Sequence, residues 1–127
     1  MLDWQHVYKL GEVERAVRHR GRALVLYRKA LARNPSCALC YLGIAEVDFD
    51  TGKDPDPWIA RAVEFGRANT DVRLRAAILL ARMGDHERAA GEFGAALAGR
   101  RSDRQDLFAL LHRIYDDEFV IDRIVTD

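Results

Sequence analysis

An internal repeat constrains this chain more than any other feature. GRALVLYRKALARNP and GDHERAAGEFGAALAGR share the pattern A-x-x-x-aromatic-x-x-A, first as Ala23, Tyr27 and Ala30, then as Ala89, Phe93 and Ala96. The copies lie 66 residues apart, twice 33, and a middle copy falls between them: Gly52 precedes Gly84 by 32 residues and Ala62 precedes Ala96 by 34. A period in the low thirties with two helices per unit marks a solenoid, in which each unit covers the apolar face of the next. Small alanines let neighbouring helices approach closely, and the aromatic ring fills the space beside them.

Helix signals run through the rest of the chain, and strand signals are missing. Apolar spacing predicts helices over Trp4–His19, Arg22–Arg33, Cys37–Asp50, Pro57–Arg67, Val72–Arg82, His86–Ala98 and Asp103–Asp116. A last apolar segment, Phe119–Val125, extends the seventh or forms an eighth. Ser36, Asp56 before Pro57, Asp71, Asp85, and Ser102 with Gln105 are the expected caps. Gly21, Gly52, Gly84 and Gly99 are the expected stops. Every linker is a few residues long, so consecutive helices pair as antiparallel hairpins.

These positions resemble the tetratricopeptide repeat family. The third copy, DVRLRAAILLARMGDHERAAGEFGAALAGR, places Ala77, Gly84, Asp85, Ala89, Phe93 and Ala96 on that motif. The first keeps Leu10-Gly11, Ala23, Tyr27, Ala30 and Pro35; Val7 and Glu14 replace the usual tryptophan and first-helix tyrosine, and its turn around Arg18–Gly21 is out of register. The second keeps Ala45, Gly52 and Ala62, loses two residues, and carries prolines where its second helix begins. The expected fold is therefore an all-α, right-handed superhelical solenoid of antiparallel helix hairpins with seven to eight helices. It forms one domain over 1–127, with repeats at about 4–36, 37–69 and 70–101 and a capping helix and tail at 102–127. Leu107, Leu110, Leu111 and Ile114 give that helix the apolar stripe a cap needs.

Formal net charge is zero, which argues against a dedicated nucleic-acid or anionic-membrane binder. No apolar stretch approaches the ~18 residues of a membrane span. MLDWQHVYKL lacks the basic head and apolar run of a signal peptide, so cytoplasm is expected, or the periplasm if a leader had been removed.

Two local patterns imitate chemistry. Cys37 and Cys40 form a C-x-x-C pair at a helix start, where a redox or zinc site is conceivable. His6, His19, His86 and His112 are scattered and supply no second half of a zinc site, and no strand feeds the helix as a thioredoxin-type site requires. Cys40, Ile44 and Val47 instead make an i, i+4, i+7 stripe, so Cys40 reads as a packing residue and Cys37 as a partly exposed turn residue. The acids Asp48, Asp50, Asp54 and Asp56 suggest a calcium loop, but Lys53 and Ile59 stand where its glycine and glutamate belong. Asp56 reads as a cap and Asp54 as part of a proline turn.

Residues 15 to 33 carry seven bases and no acid, whereas Asp116, Asp117, Glu118, Asp122 and Asp127 make the far end acidic. No aromatics interleave the arginines as single-strand recognition would need, so a solvated basic face, head-to-tail self-association or an acidic partner segment is expected.

The resemblance implies that the first helix of each repeat lines a groove for an extended peptide or a helix. Helical spacing assigns that face to Tyr8, Glu12 and Arg15 on the first helix, to Leu39, Leu42, Glu46 and Phe49 on the third, and to Leu74 and Ile78 on the fifth. The competing expectation is that a short solenoid closes up, or its C-terminal segment folds back, and these residues are simply core. Family members that clamp a chaperone's terminal carboxylate do so with Lys, Arg and Asn. Here Leu39, Leu42, Glu46, Leu74 and Ile78 occupy most of those places, so that specificity is not expected.

The expected function is a non-catalytic protein-interaction module, an adaptor or assembly scaffold, with a protein or peptide partner and no cofactor, metal, nucleic acid or membrane insertion. No nucleophile–base pair or phosphate-cradling loop points to an enzyme. The alternatives are a secretion chaperone of similar build, a small thiol redox or metal protein using Cys37 and Cys40, and self-association through the apolar tail at Phe119, Ile121, Ile124 and Val125.

Overall fold

The computed structural model describes residues 3–99, and among these every regular element is helical. The six helices are α1 (Trp4–Ala16), α2 (Arg20–Arg33), α3 (Ala38–Asp50), α4 (Asp56–Phe65), α5 (Thr70–Arg82) and α6 (His86–Gly99). The expected helix at Asp103–Asp116, its Ser102 cap and the apolar tail lie outside the described residues. None of the described helices is long and apolar enough to cross a membrane. The helices fall into two compact units, Met1–Arg67 with α1 to α4 and a second beginning at Ala68 with α5 and α6.

In the first unit α1 packs on α2, α3 on α4, α2 on α3, and α1 touches α3. The shared Ala and aromatic positions of the repeat are its core: Ala23, Tyr27, Ala30 and Ala62 are fully buried. One cluster joins Ala23 and Tyr27 of α2 to Ile44 and Val47 of α3. A second joins Val7, Ala30, Cys37 and Cys40, with Trp4, Tyr8 and Leu39 packed against it. Within the second hairpin Tyr41 stacks on both Trp58 and Phe65, at centroid distances of 6.2 and 5.7 Å. In the second unit α5 packs on α6, burying Ala89, Phe93 and Ala96 at the repeat positions.

All three hairpins turn by one device. The residue after the helix end adopts a left-handed conformation, its N–H returns to the carbonyl three residues back, and the next N–H reaches five back, satisfying carbonyls that a helix end leaves open. Gly52 (φ +81°) and Gly84 (φ +85°) do this after α3 and α5, as their sequence positions suggested. After α1 the position belongs to Arg18 (φ +66°), with Arg18 N–H bonded to Arg15 O and His19 N–H to Glu14 O. Gly21, expected as the stop, lies inside α2. The first turn is therefore in register, 34 residues before Gly52, and glycine was a misleading marker for it.

Several helix starts also differ from the sequence expectation. Cys37, not Ser36, caps α3, its sulfur accepting the Cys40 N–H. Asn69, not Asp71, caps α5, its Oδ1 accepting the Asp71 and Val72 N–H groups. α4 begins at Asp56 itself, with Asp54 Oδ1 accepting the Asp56 N–H, the Asx geometry expected of an acid before proline. Asp85 does cap α6, accepting from the Arg88 N–H.

Candidate partner-binding face

The repeat tyrosine forces the geometry of the candidate face. Its ring is fully buried between α1 and α3, and both helices place glycine against it. A Cβ on Gly11 would meet Tyr27 Cε1 at 3.0 Å, and one on Gly43 would overlap the ring, with Cε1 at 2.6 Å. Gly43 was not foreseen as a functional or packing residue. The available signal was a glycine standing mid-helix with no turn beside it, which usually has a packing reason.

A buried hydroxyl needs partners. The Tyr27 hydroxyl donates to Glu12 Oε1 at 3.0 Å and accepts from Arg15 Nε at 3.3 Å. Arg15 also reaches Glu12 Oε2 at 3.0 Å and Glu46 Oε2 at 2.8 Å, so its guanidinium ties α1 to α3 across the α2 tyrosine. Burial works against the Arg15 charge, but Glu46, Glu12 and the Tyr27 hydroxyl outweigh it and hold the guanidinium more firmly protonated than usual. Burial, then the Glu12 charge, pushes the Tyr27 hydroxyl well above its ordinary range.

The structure brings together Glu12, Arg15 and Glu46, three of the residues assigned to the groove, and adds Tyr27, which was not among them. Tyr8 stands beside them, half-buried, with its ring 6.0 Å from that of Tyr27. Leu39 and Phe49 are also half-buried. Leu42 is not a surface anchor: it is fully buried, and every residue of α3 from Cys40 to Asp48 is buried with it. A helix enclosed all round belongs to the core, so the expected α3 stripe reaches the surface only at its ends. In the second unit, Leu74 and Ile78 are half-buried on α5, and Arg73 bridges to Glu92 of α6 at 2.9 Å.

Cys37 and Cys40 are joined in a disulfide. Cys37 is 4% exposed, not the partly exposed turn residue expected, because Val7, Ala30 and the flanking Trp4 and Leu39 close over the start of α3. Cys40 packs as its apolar stripe suggested. Among the aspartates, Asp48 is buried and accepts the Trp58 indole N–H at 2.9 Å, locking α3 to α4. Among the described residues no three His, Cys, Asp or Glu side chains are grouped to hold a metal ion.

No protein-family model and no curated protein sequence matches the chain. Solved structures do. The crystal structure of MamA superposes with a TM-score of 0.68 at 15% identity, over 96% of this chain and 72% of that one. The TPR domain of P58(IPK) does so with a TM-score of 0.64 at 20% identity, over 89% of this chain and 33% of that one. The chain thus spans about a third of the second structure. Together with the repeated Ala and aromatic core positions and the three identical turns, this likeness shows that the chain has the tetratricopeptide-repeat-like fold, a solenoid of helix hairpins.

Proposed function

We propose that the chain is a non-catalytic protein-interaction module that holds a peptide or helix against the edges of α1 and α3. The observation that carries this reading is that Tyr8 on α1, and Leu39 and Phe49 at the two ends of α3, stay half-exposed on helices that Arg15 and Glu46 brace together. Apolar anchors supply affinity by burial, and a braced scaffold loses little entropy on binding. Glu12, Arg15 and Glu46 spend much of their charge on one another, so they act as polar edge groups that set the register of the bound segment. In the second unit, Leu74 and Ile78 offer a comparable apolar stripe of their own.

The test is selection from a displayed random-peptide library, followed by calorimetry on the selected peptides. Wild type is expected to enrich apolar peptides, and Tyr8→Glu with Phe49→Glu is expected to lose binding at unchanged helical content. Equal binding by the double variant would remove this reading. Leu42→Glu is the wrong probe, because it buries a charge in the core.

A further inference from the structure

We propose that the outer face of the first hairpin, the surface of α1 and α2 carrying Leu10, Val17 and Val25, docks the acidic, apolar segment 116–127 of a second copy of this chain. This surface is separate from the edge of α1 and α3 described above.

Among the described residues five large apolar side chains are exposed, and four belong to this hairpin: Leu10 at 46%, Val13 at 59%, Val17 at 56% and Val25 at 51%. Leu10, Val13 and Val17 follow i, i+3, i+7 spacing, so they make one stripe of α1 and its C-cap. A stripe of that spacing ordinarily faces a neighbour. On α2, Arg22, Val25, Leu26 and Lys29 follow i, i+3, i+4, i+7. Arg22, Val25 and Leu26 line a depression of about 340 Å³ with Gly21 and Glu14. The acid at its rim, Glu14, already faces His19, with Oε2 2.6 Å from Nδ1. The same hairpin also exposes Arg18, Arg22 and Lys29, so its apolar side chains share the surface with basic ones.

The segment DDEFVIDRIVTD has the complementary composition. Five acids, Asp116, Asp117, Glu118, Asp122 and Asp127, outnumber a single arginine, and Phe119, Ile121, Ile124 and Val125 are the apolar residues among them. Apolar burial gives such a contact its affinity, and the opposed charges steer encounter and select the partner. Every copy carries both the face and the segment, and pairing between copies shows itself as assembly, whereas pairing within one copy leaves a monomer. The contact joins two unlike surfaces, so two copies that exchange segments close as a dimer and longer runs of copies form rings or chains.

Sedimentation velocity on the full chain tests this. Wild type is expected to exceed monomer mass at concentrations on the order of 100 μM, and to associate more slowly as ionic strength rises. A face variant, Val17→Glu with Val25→Glu, and a tail variant, Phe119→Lys with Ile124→Lys, are each expected to be monomeric with helical circular dichroism retained. Mixed together they are expected to form a one-to-one complex, because each keeps the half that the other lacks. Wild type that stays monomeric, a face variant that still assembles, or a mixture that forms no complex would each overturn the proposal. If the tail variant fails to fold, Asp117→Lys with Asp122→Lys takes its place with the same expected outcomes.

Discussion

The first and third repeats solve one packing problem with different side chains. Tyr27 and Phe93 occupy equivalent positions and are both fully buried. The tyrosine brings a hydroxyl into the core, and around it stand Glu12, Arg15 and, through Arg15, Glu46. The phenylalanine brings no hydroxyl to satisfy, and a charge pair of its hairpin, Arg73 with Glu92, joins α5 to α6. The turns differ in parallel: Arg18 is strained where Gly84 is relaxed. The tyrosine hydroxyl thus sits in a polar cluster drawn from three helices, α1, α2 and α3. The repeat motif specifies shape, and the departures from it specify where polar chemistry collects.

That comparison can be broken most forcefully at the glycines. Gly43→Ala drives a methyl group into the Tyr27 ring and is expected to cost about 3 kcal/mol in chemical denaturation. Gly91→Ala on α6, where nothing lies within 4 Å, is expected to stabilise by up to about 1 kcal/mol through helix propensity. Equal effects would mean that the ring position does not discriminate between the hairpins.

Exchanging the aromatics gives a smaller asymmetry. Phe93→Tyr buries a hydroxyl and is expected to cost about 2 kcal/mol, whereas Tyr27→Phe removes one already bonded and is expected to cost about 1 kcal/mol. The same pair predicts a pH effect. The folded-state pKa of Tyr27 is raised, by burial first and then by Glu12, so near pH 10 and above the unfolded chain gives up a proton that the folded chain keeps. This contribution is fully present below about pH 10 and is lost as pH rises beyond it, and the extra alkaline loss is expected to be absent in Tyr27→Phe. An unchanged alkaline slope in that variant would remove the Tyr27 assignment.

The turns give the smallest effect. Arg18→Gly is expected to stabilise by about 1 kcal/mol, and Gly84→Ala to destabilise by a similar amount, because a Cβ in the left-handed region clashes with the backbone. A neutral Arg18→Gly would show that its side chain contributes enough at the turn to offset the strain.

Much of the fold was legible in the sequence for local reasons. Helix period, the alanine and aromatic spacing, and the glycines at the second and third turns all act within one hairpin, so a short window contains both cause and effect. The first turn escaped because arginine carries no sign of left-handed backbone, and Gly21 offered a false one. The groove assignment was less legible. Helical spacing put Leu42 on a stripe with Leu39, Glu46 and Phe49, but spacing describes a helix alone and cannot say that α3 is enclosed on every side. Burial of Cys37 was hidden for the same reason, since the residues that cover it come from α1, α2 and α3.

By itself the sequence determined that the chain is helical, that its helices pair in hairpins, and that one hairpin design recurs about every 33 residues. These follow from backbone and side-chain preferences acting over a few turns. Only the tertiary structure decided that Arg15 would answer to Glu12, Tyr27 and Glu46 at once, that Gly43 must remain a glycine, and that Leu42 would serve the core. Those outcomes depend on which side chains meet across helices, and packing chooses such neighbours after the local preferences have been met.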